Sequence, residues 1–411
     1  MVPPGGTEFI TVGRFKLSQT RVGEPIGTFF YGKKYLARKD AVELDPIELK
    51  LSTQQYTTAR LNGFFGVIRD AMPDYWGRCV IQRNISKQSL VEFDYLMNGP
   101  DDRAGALGFG LGLAPPAPCR VFNKTLHLEY LQEMAYNIMN DVSINDKVTA
   151  RQVQELILPG TSMGGARPKA VVEADGSLWI AKFSSPYDRW NQPVVEHAFL
   201  NLAKSCGLHV ADSKLCVVSG KDVLLVRRFD REKAQEGYRR YRMVSALTLL
   251  KLEETPVARE SWSYLLLADE IRRCSATPQS CLRELFSRMC FNAVVSNLDD
   301  HPRNHAMLAT DNHWRLSPAY DLTPTPSIAH DARFLAMSCG TYGRIANYEN
   351  LLTKSDRFLL TKDEAKIILD DIINTVKQQW DNCLRRAGAS EKDCEAIASS
   401  CLYEGFYYTN H

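Results

Sequence analysis

Cys-x-x-Cys pairs are missing from this 411-residue chain although it holds eleven cysteines. Their absence excludes a zinc knuckle and a thioredoxin-type redox pair. No run of about 18 apolar residues occurs, so no segment has the length of a membrane-spanning helix. The opening residues MVPPGGTEFI lack a basic head followed by an apolar stretch, so no secretory leader is expected. An excess of one charge is missing too. Fifty Lys and Arg stand against 48 Asp and Glu, a net charge of +2, too little to draw the whole molecule to nucleic acid or a membrane. A local basic run such as RRYR at 239–242 reads as a solvated turn. There is no fixed-period repeat and no low-complexity tract. What remains is 45% hydrophobic and 24% charged, an ordinary globular balance, in a chain long enough for two or three packed units. Thiols within apolar runs such as RMCFNAVV point to a reduced, cytoplasmic protein with no membrane partner.

Along the chain, residues 1–60 predict short strands and turns, with TFFYGKKYLA as a hairpin around Gly32 and Lys33. TARLNGFFGVIRDAMPDYWGR carries helical spacing, punctuated by Pro73 and Gly77. LAPPAPCR at 113–120 is a connector, because proline cannot donate to a helix or sheet ladder. Helices are expected over about 126–139 and about 149–158. KAVVEADGSLWIAKF predicts a hairpin turning at 174–177. Pro193 opens a helix that Gly207 can end, and KLCVVSGKDVLLVRRF predicts a second hairpin. Beyond residue 240 the spacing becomes mainly helical, in SWSYLLLADEIRR, CLRELFSRMCFNAVVSN and TKDEAKIILDDIINTVKQQWDNCLRRAG. The pattern is a sheet-rich N-terminal half followed by a helical C-terminal half.

Two segments carry chemistry. LPGTSMGGARPKA at 158–170 has the glycines, hydroxyls and cations of a phosphate loop. It fits neither Walker A, which needs Gly-Lys followed by Ser or Thr, nor the three-glycine dinucleotide fingerprint. Gly164 and Gly165 would let backbone amides approach phosphates, with Arg167 and Lys169 adding charge. The second segment is SNLDDHPRNHAM at 296–307, followed by PAYDLTP. Asp299, Asn304 and Asp321 reproduce the order and approximate spacing of a kinase catalytic loop and metal loop. One carboxylate takes the hydroxyl proton; an Asn and a second Asp hold Mg²⁺ against the phosphates. Upstream, Lys182 in the strand WIAKF would reach the phosphates, and Glu196 on the next helix could hold that lysine forward. The stretch Arg227–Asp230 lies where a hinge would receive adenine through its backbone. His301 has a structural reading as an orienter of the catalytic loop. A metal hydrolase using Asp299, Asp300, His301 and His305 competes for the same loop, but it leaves the glycines and Lys182 unexplained.

Together SMGGARPK, WIAKF, VRRFDR, NLDDHPRN and AYDLTP resemble the HipA family of bacterial serine/threonine kinases, toxins of type II toxin–antitoxin modules. AMPDYWGR and DDRAGALGF resemble that family's N-terminal motifs, so the likeness spans about residues 20–380. The resemblance implies an α+β, bilobal protein-kinase-like fold with a sheet-rich N-terminal lobe and a mainly helical C-terminal lobe. It divides the chain into an N-terminal subdomain at 1–120, a kinase N-lobe at 121–235 and a helical C-lobe at 236–411. It implies Asp299 as catalytic base, with Asn304 and Asp321 on Mg²⁺. The implied ATP contacts are Ser162, Met163, Gly164, Gly165, Ala166, Arg167, Lys169, Lys182, Glu196, Arg227, Phe229, His301, Arg303, Asn304 and Asp321. Ser162 aligns with the loop serine whose autophosphorylation switches such kinases off. The implied substrate is a translation-related protein, with an aminoacyl-tRNA synthetase as candidate. The implied partner is a small helix-turn-helix antitoxin, through which alone DNA is met. The rival expectation is a catalytically silent kinase fold acting as corepressor of such an antitoxin. The loop departs from the best-known members, which carry Ala-Gln-Glu-Lys after the glycine where this chain has Ala-Arg-Pro-Lys.

Overall fold

Alternating polar and apolar residues make β1 (Gly13–Gln19) and β2 (Pro25–Tyr31), which pair antiparallel with Gly13 opposite Tyr31. The short β3 (Tyr56–Thr58) adds to the other edge of β2. The structure, a computed structural model, describes residues 1–85, 89–140, 167–326 and 329–408. The expected helix at about 149–158 lies outside the described residues, as do Ser162, Met163, Gly164, Gly165 and Ala166. Two compact units divide the chain. The first holds Met1–Ser185, Leu225–Val244 and Leu308–Trp314; the second holds Pro186–Leu224, Ser245–Met307 and Arg315–His411. The elements combine into an α+β fold.

One expectation fails in the first unit. Gly32 does not turn a hairpin: its φ is −70°, and it precedes a single helical turn, Lys33–Leu36. That turn carries Tyr35 inward, where its ring stacks on Tyr31 at 5.8 Å. The Tyr35 hydroxyl donates to the Val42 carbonyl at 2.6 Å and accepts from the Val42 amide at 2.9 Å, while the Tyr31 hydroxyl accepts from the Leu44 amide at 2.8 Å. Two buried phenols thus satisfy an irregular backbone that no strand pairs, which a two-residue hairpin would leave unsatisfied.

The same unit contains the helix Tyr75–Asn84 and, past the irregular 99–122 connector, β4 (Asn123–Lys124) and the helix Leu128–Met139. β4 runs parallel to β5 (Lys169–Ala174), which pairs antiparallel with β6 (Ser177–Phe183). The turn at Asp175 and Gly176 has φ of 51° and 67° at its two central residues, as the Asp-Gly pair demands. A second hairpin joins β7 (Ser213–Val218) to β8 (Lys221–Arg227) through Ser219 and Gly220, both left-handed. The Lys221–Leu224 half of β8 belongs to the second unit and the Leu225–Arg227 half to the first. β9 (Arg231–Lys233) and β10 (Tyr238–Arg240) form a small antiparallel pair.

Helices dominate the second unit. Gln192–Ser205 opens with Pro193 in its first turn and ends before Gly207 at φ +81°. It packs against the 25-residue helix Lys362–Arg386. That long helix starts from a capping box, in which Thr361 and Glu364 satisfy each other's backbone amides at 3.2 and 2.8 Å. The helix Pro278–Val294 packs against both Tyr264–Cys274 and Lys362–Arg386. Leu282, Leu285, Phe286, Met289, Phe291 and Val294 are fully buried along it. Such a helix is held by packing more than by propensity, and its end sets the position of the loop that follows. Among the described residues, no helix is long and apolar enough to cross a membrane.

Candidate active site

The loop after Pro278–Val294 is fixed at its root. Ser296 is left-handed, with φ of 53°. Its hydroxyl donates to the Ser400 carbonyl at 2.6 Å and accepts from the Arg333 guanidinium at 2.6 Å. The Ser296 carbonyl accepts from the Thr325 amide at 2.8 Å, which ties the segment holding Asp321 to the same root. A second tie runs from the Tyr320 hydroxyl to the Arg303 carbonyl at 2.7 Å. Asp299 and Asp321 are thus carried by two segments laced together inside one unit.

Adjacent aspartates in this loop have opposite fates. Asp300 is buried and accepts from the Tyr264 hydroxyl, while His305 Nε2 lies 2.6 Å from the same carboxylate oxygen. Asn292 supports Tyr264 at 3.3 Å, and Asn297 supports Asn292 at 3.1 Å. Burial opposes ionisation of Asp300, but the His305 and Tyr264 partners outweigh it and hold its carboxyl below the usual range. Asp299, one residue earlier, is exposed. Desolvation by the surrounding protein, then the Asp321 and Asp300 carboxylates, push its pKa up, against opposing pulls from His301 and Arg259. One aspartate is spent on structure. The other is left available, beside a like charge.

The remaining loop residues build around that pair. Asn304, buried in a short turn from Pro302, donates its amide to the His301 carbonyl at 2.9 Å. Its side-chain nitrogen faces the Asp299 carbonyl at 3.5 Å, a weak contact. Arg303 binds Glu254 through two nitrogens at 2.5 and 3.0 Å. The His301 ring meets Trp262 edge-on at 6.2 Å, and Trp262 lies under the Arg259 guanidinium at 5.5 Å. Asp321 holds φ at 59°, a region that Asp tolerates better than most residues and that clusters at functional loops. An Asn and an Asp offer hard oxygen donors, the set Mg²⁺ prefers. Among the described residues no three of His, Cys, Asp and Glu converge as a metal cluster. Asp300 and His305 bind each other, which removes two ligands from the hydrolase alternative.

The first unit holds the other candidates. Lys169 begins β5 directly opposite Lys182 in β6. Lys169 is buried and its ammonium pairs with Asp74. Arg167 and Lys182 are half-buried, Arg227 is exposed at the end of β8, and Phe229 is half-buried. Glu196 belongs to the second unit, buried on the helix Gln192–Ser205. The structure therefore brings Asp299, His301, Arg303, Asn304 and Asp321 together in one unit, while Arg167, Lys169, Lys182, Arg227 and Phe229 belong to the other. An open hollow of about 520 Å³, lined by Phe9, Phe15, Phe93 and Phe109 among others, includes none of these residues and does not mark the site.

Sequence reasoning missed a buried charge cluster flanking Arg227 and Phe229. Arg228 binds Asp102 at 2.5 Å and Asp230 at 2.9 and 3.0 Å, and donates to the Arg103 carbonyl at 3.0 Å. Arg231 reaches Asp230 at 2.7 Å and the Gly105 carbonyl at 2.9 Å. Arg240 closes on Asp101 at 2.7 Å. Burial, then the neighbouring Arg228 charge, pulls Arg231 down to about 9, whereas burial of Asp230 is overcome by Arg228 and Arg231, which keep it ionised. The available signal was complementary charge: DDR at 101–103 and RRFDR at 227–231 are dense mixed-charge runs beside apolar segments.

Comparison with known proteins adds to this geometry. Residues 161–380, more than half of the chain, match the family described as HipA-like C-terminal domain, and residues 10–110 match HipA N-terminal domain. A protein of Sinorhizobium fredii named "Putative kinase Y4mE" is 29% identical over 192 residues, which cover 44% of this chain and 46% of that protein. The chain's match thus spans under half the length of this curated relative. A solved structure titled as the Shewanella oneidensis MR-1 toxin–antitoxin system HipA, HipB and its operator DNA complex aligns with a TM-score of 0.68. It shares 18% identity over 96% of this chain and 94% of that one, a likeness of fold.

Proposed function

We propose a function from the premise that this chain belongs to the HipA family, as its two family matches show. The protein is a Mg-ATP-dependent serine/threonine kinase that phosphorylates a protein substrate and, in its own glycine-rich loop, Ser162. The observation that carries this reading is the split between Asp299 and Asp300. A buried, hydrogen-bonded Asp300 anchors the loop, and an exposed Asp299 with a raised pKa stands beside Asp321.

In this reading Asp299 accepts the proton of the attacking hydroxyl as its oxygen bonds to the γ-phosphorus of ATP and ADP departs. A carboxylate of raised pKa is a stronger proton acceptor than an ordinary one, which improves the driving force for the transfer. Asn304 and Asp321 would hold Mg²⁺, whose charge neutralises the phosphates when bound. Lys182 would contact the nucleotide phosphates, and the Arg227–Phe229 backbone would receive adenine. The Tyr320–Arg303 and Thr325–Ser296 bonds keep the Asp299 and Asp321 segments in register during transfer. The proposed setting is a reducing cytoplasm, and all eleven cysteines as free thiols support it. A small helix-turn-helix antitoxin is the proposed partner, with DNA met only through it. A translation-related protein, such as an aminoacyl-tRNA synthetase, is the proposed substrate.

Mass spectrometry after incubation with Mg-ATP tests this directly. Phosphate on Ser162, lost in Asp299→Ala by a factor of about 100 or more, is the expected outcome. Equal incorporation in that variant contradicts the role of Asp299. No incorporation in the wild type with any serine substrate favours a silent fold that acts by binding its partner.

A further inference from the structure

Kinase chemistry leaves unused two segments of the N-terminal region, PDYWGR at 73–78 and DDRAG at 101–105. Both send side chains into the part of their own unit that carries the expected nucleotide contacts. Asp74 caps the helix Tyr75–Asn84: one carboxylate oxygen accepts from the Gly77 amide at 2.8 Å, and the other receives the Lys169 ammonium. The Trp76 indole donates to the Lys169 carbonyl at 3.0 Å. One helical turn therefore grips Lys169 by both its side chain and its backbone. Lys169 is the first residue of β5, four positions after Gly165, so this grip fixes the strand that leaves the glycine-rich loop.

The second segment holds another part of the same unit. Asp102 and the Arg103 carbonyl bind Arg228, and the Gly105 carbonyl and amide bind Arg231 and Asp230. These residues surround Arg227 and Phe229 in sequence, and the Arg228 amide is itself bonded to the Leu178 carbonyl of β6 at 2.8 Å. A phosphate-binding lysine needs its ammonium in space a nucleotide can enter. The Lys169 side chain is only 2% exposed, and Asp74 only 8%. Withdrawing either charge takes a close, buried partner from the other.

We propose that the N-terminal domain is a positioning brace for the nucleotide site, in which Lys169 anchors the strand leaving the phosphate loop instead of binding phosphate. The inference rests on the kinase reading above. Asp74 and Trp76 are then positioning residues, and Lys169 shares their role.

Binding of a fluorescent ATP analogue to the full-length protein in Mg²⁺ separates the two assignments. Asp74→Asn keeps the helix cap, since Asn caps as well as Asp, and removes only the charge facing Lys169. Asp74→Asn and Lys169→Met are each expected to weaken binding about tenfold or more. The double variant should be no weaker than either single one, because both break one interaction. Trp76→Phe, the mildest change, should move affinity the same way by less, with melting followed by circular dichroism in every variant. If Asp74→Asn and Lys169→Met fail to fold, Trp76→Phe carries the test, and unchanged affinity there overturns the brace. Weaker binding in Lys169→Met with unchanged or tighter binding in Asp74→Asn overturns it as well, since a phosphate ligand freed from a carboxylate behaves that way. Wild-type protein that binds no nucleotide overturns the kinase reading and the brace together; a binding wild type with unaffected variants overturns the brace alone.

Discussion

Aspartates gather in both units, and the two gatherings are built on opposite terms. In the first unit Asp102 and Asp230 meet Arg228 and Arg231 in close, buried pairs, and the half-buried Asp101 meets the buried Arg240. In the second, the Asp321 carboxylate acts on Asp299 as a like charge, while His301 and Arg259 pull the Asp299 pKa the other way. A compensated cluster holds structure, because removing any member strands its partners in a medium that cannot solvate them. A carboxylate pushed up by burial and by like charges works against folding in its ionised form, and such groups cluster where chemistry needs them. In the kinase reading proposed above, the contrast divides scaffold from site. Asp300 sharpens it within a single loop: one residue from Asp299, it belongs to the compensated kind.

Breaking the compensated cluster should have the largest effect. Asp102→Ala leaves Arg228 buried beside a lost partner and should destabilise the protein by about 3–5 kcal/mol, read as an early transition in thermal or urea melting. If the variant melts with the wild type, the cluster is not holding the first unit together. A smaller effect is expected at the softened edge of the other group. Arg259→Gln removes a charge that lowers the Asp299 pKa, so the acid limb of the rate–pH profile should move to higher pH with the plateau kept. An acid limb that stays in place, or moves down, argues that Asp299 is not the group being titrated. The sign is fixed by the role: a base must be deprotonated, so raising its pKa loses activity on the acid side first.

Local chemistry was legible in the sequence and long-range pairing was not. Asp175-Gly176 declared its hairpin, Pro193 and Gly207 bounded their helix, and the Asp299–Asn304–Asp321 spacing singled out one loop system. Each of those signals lies within a few residues of what it specifies, or in an order of residues that few chemistries need. Asp102 and Arg228 are 126 positions apart, and Asp74 and Lys169 are 95 apart. At such separations a sequence shows charges but not partners, so DDRAG and PDYWGR read as motifs without a task. Gly32 misled for a different reason. A Gly-Lys pair inside an apolar run imitates a hairpin turn, and only the burial of Tyr31 and Tyr35 shows why the chain turns helical there. Neither could sequence tell Asp299 from Asp300, since their difference lies in Tyr264, Asn292 and His305.

The most direct measurement compares Asp299→Asn with Asp300→Asn, following phosphate transfer and melting at neutral and acidic pH. A raised folded-state pKa means that Asp299 favours the fold when protonated and works against it as pH rises through that pKa. Asp299→Asn should therefore melt at or above the wild type at neutral pH while transferring no phosphate. Asp300 has the opposite linkage: its stabilisation is present above the unfolded-state pKa and is lost as pH falls through the depressed one. Asp300→Asn should melt early at neutral pH and approach the wild type in acid. Retained transfer by Asp299→Asn, or early melting of that variant with a stable Asp300→Asn, would contradict the division of the two aspartates between site and scaffold.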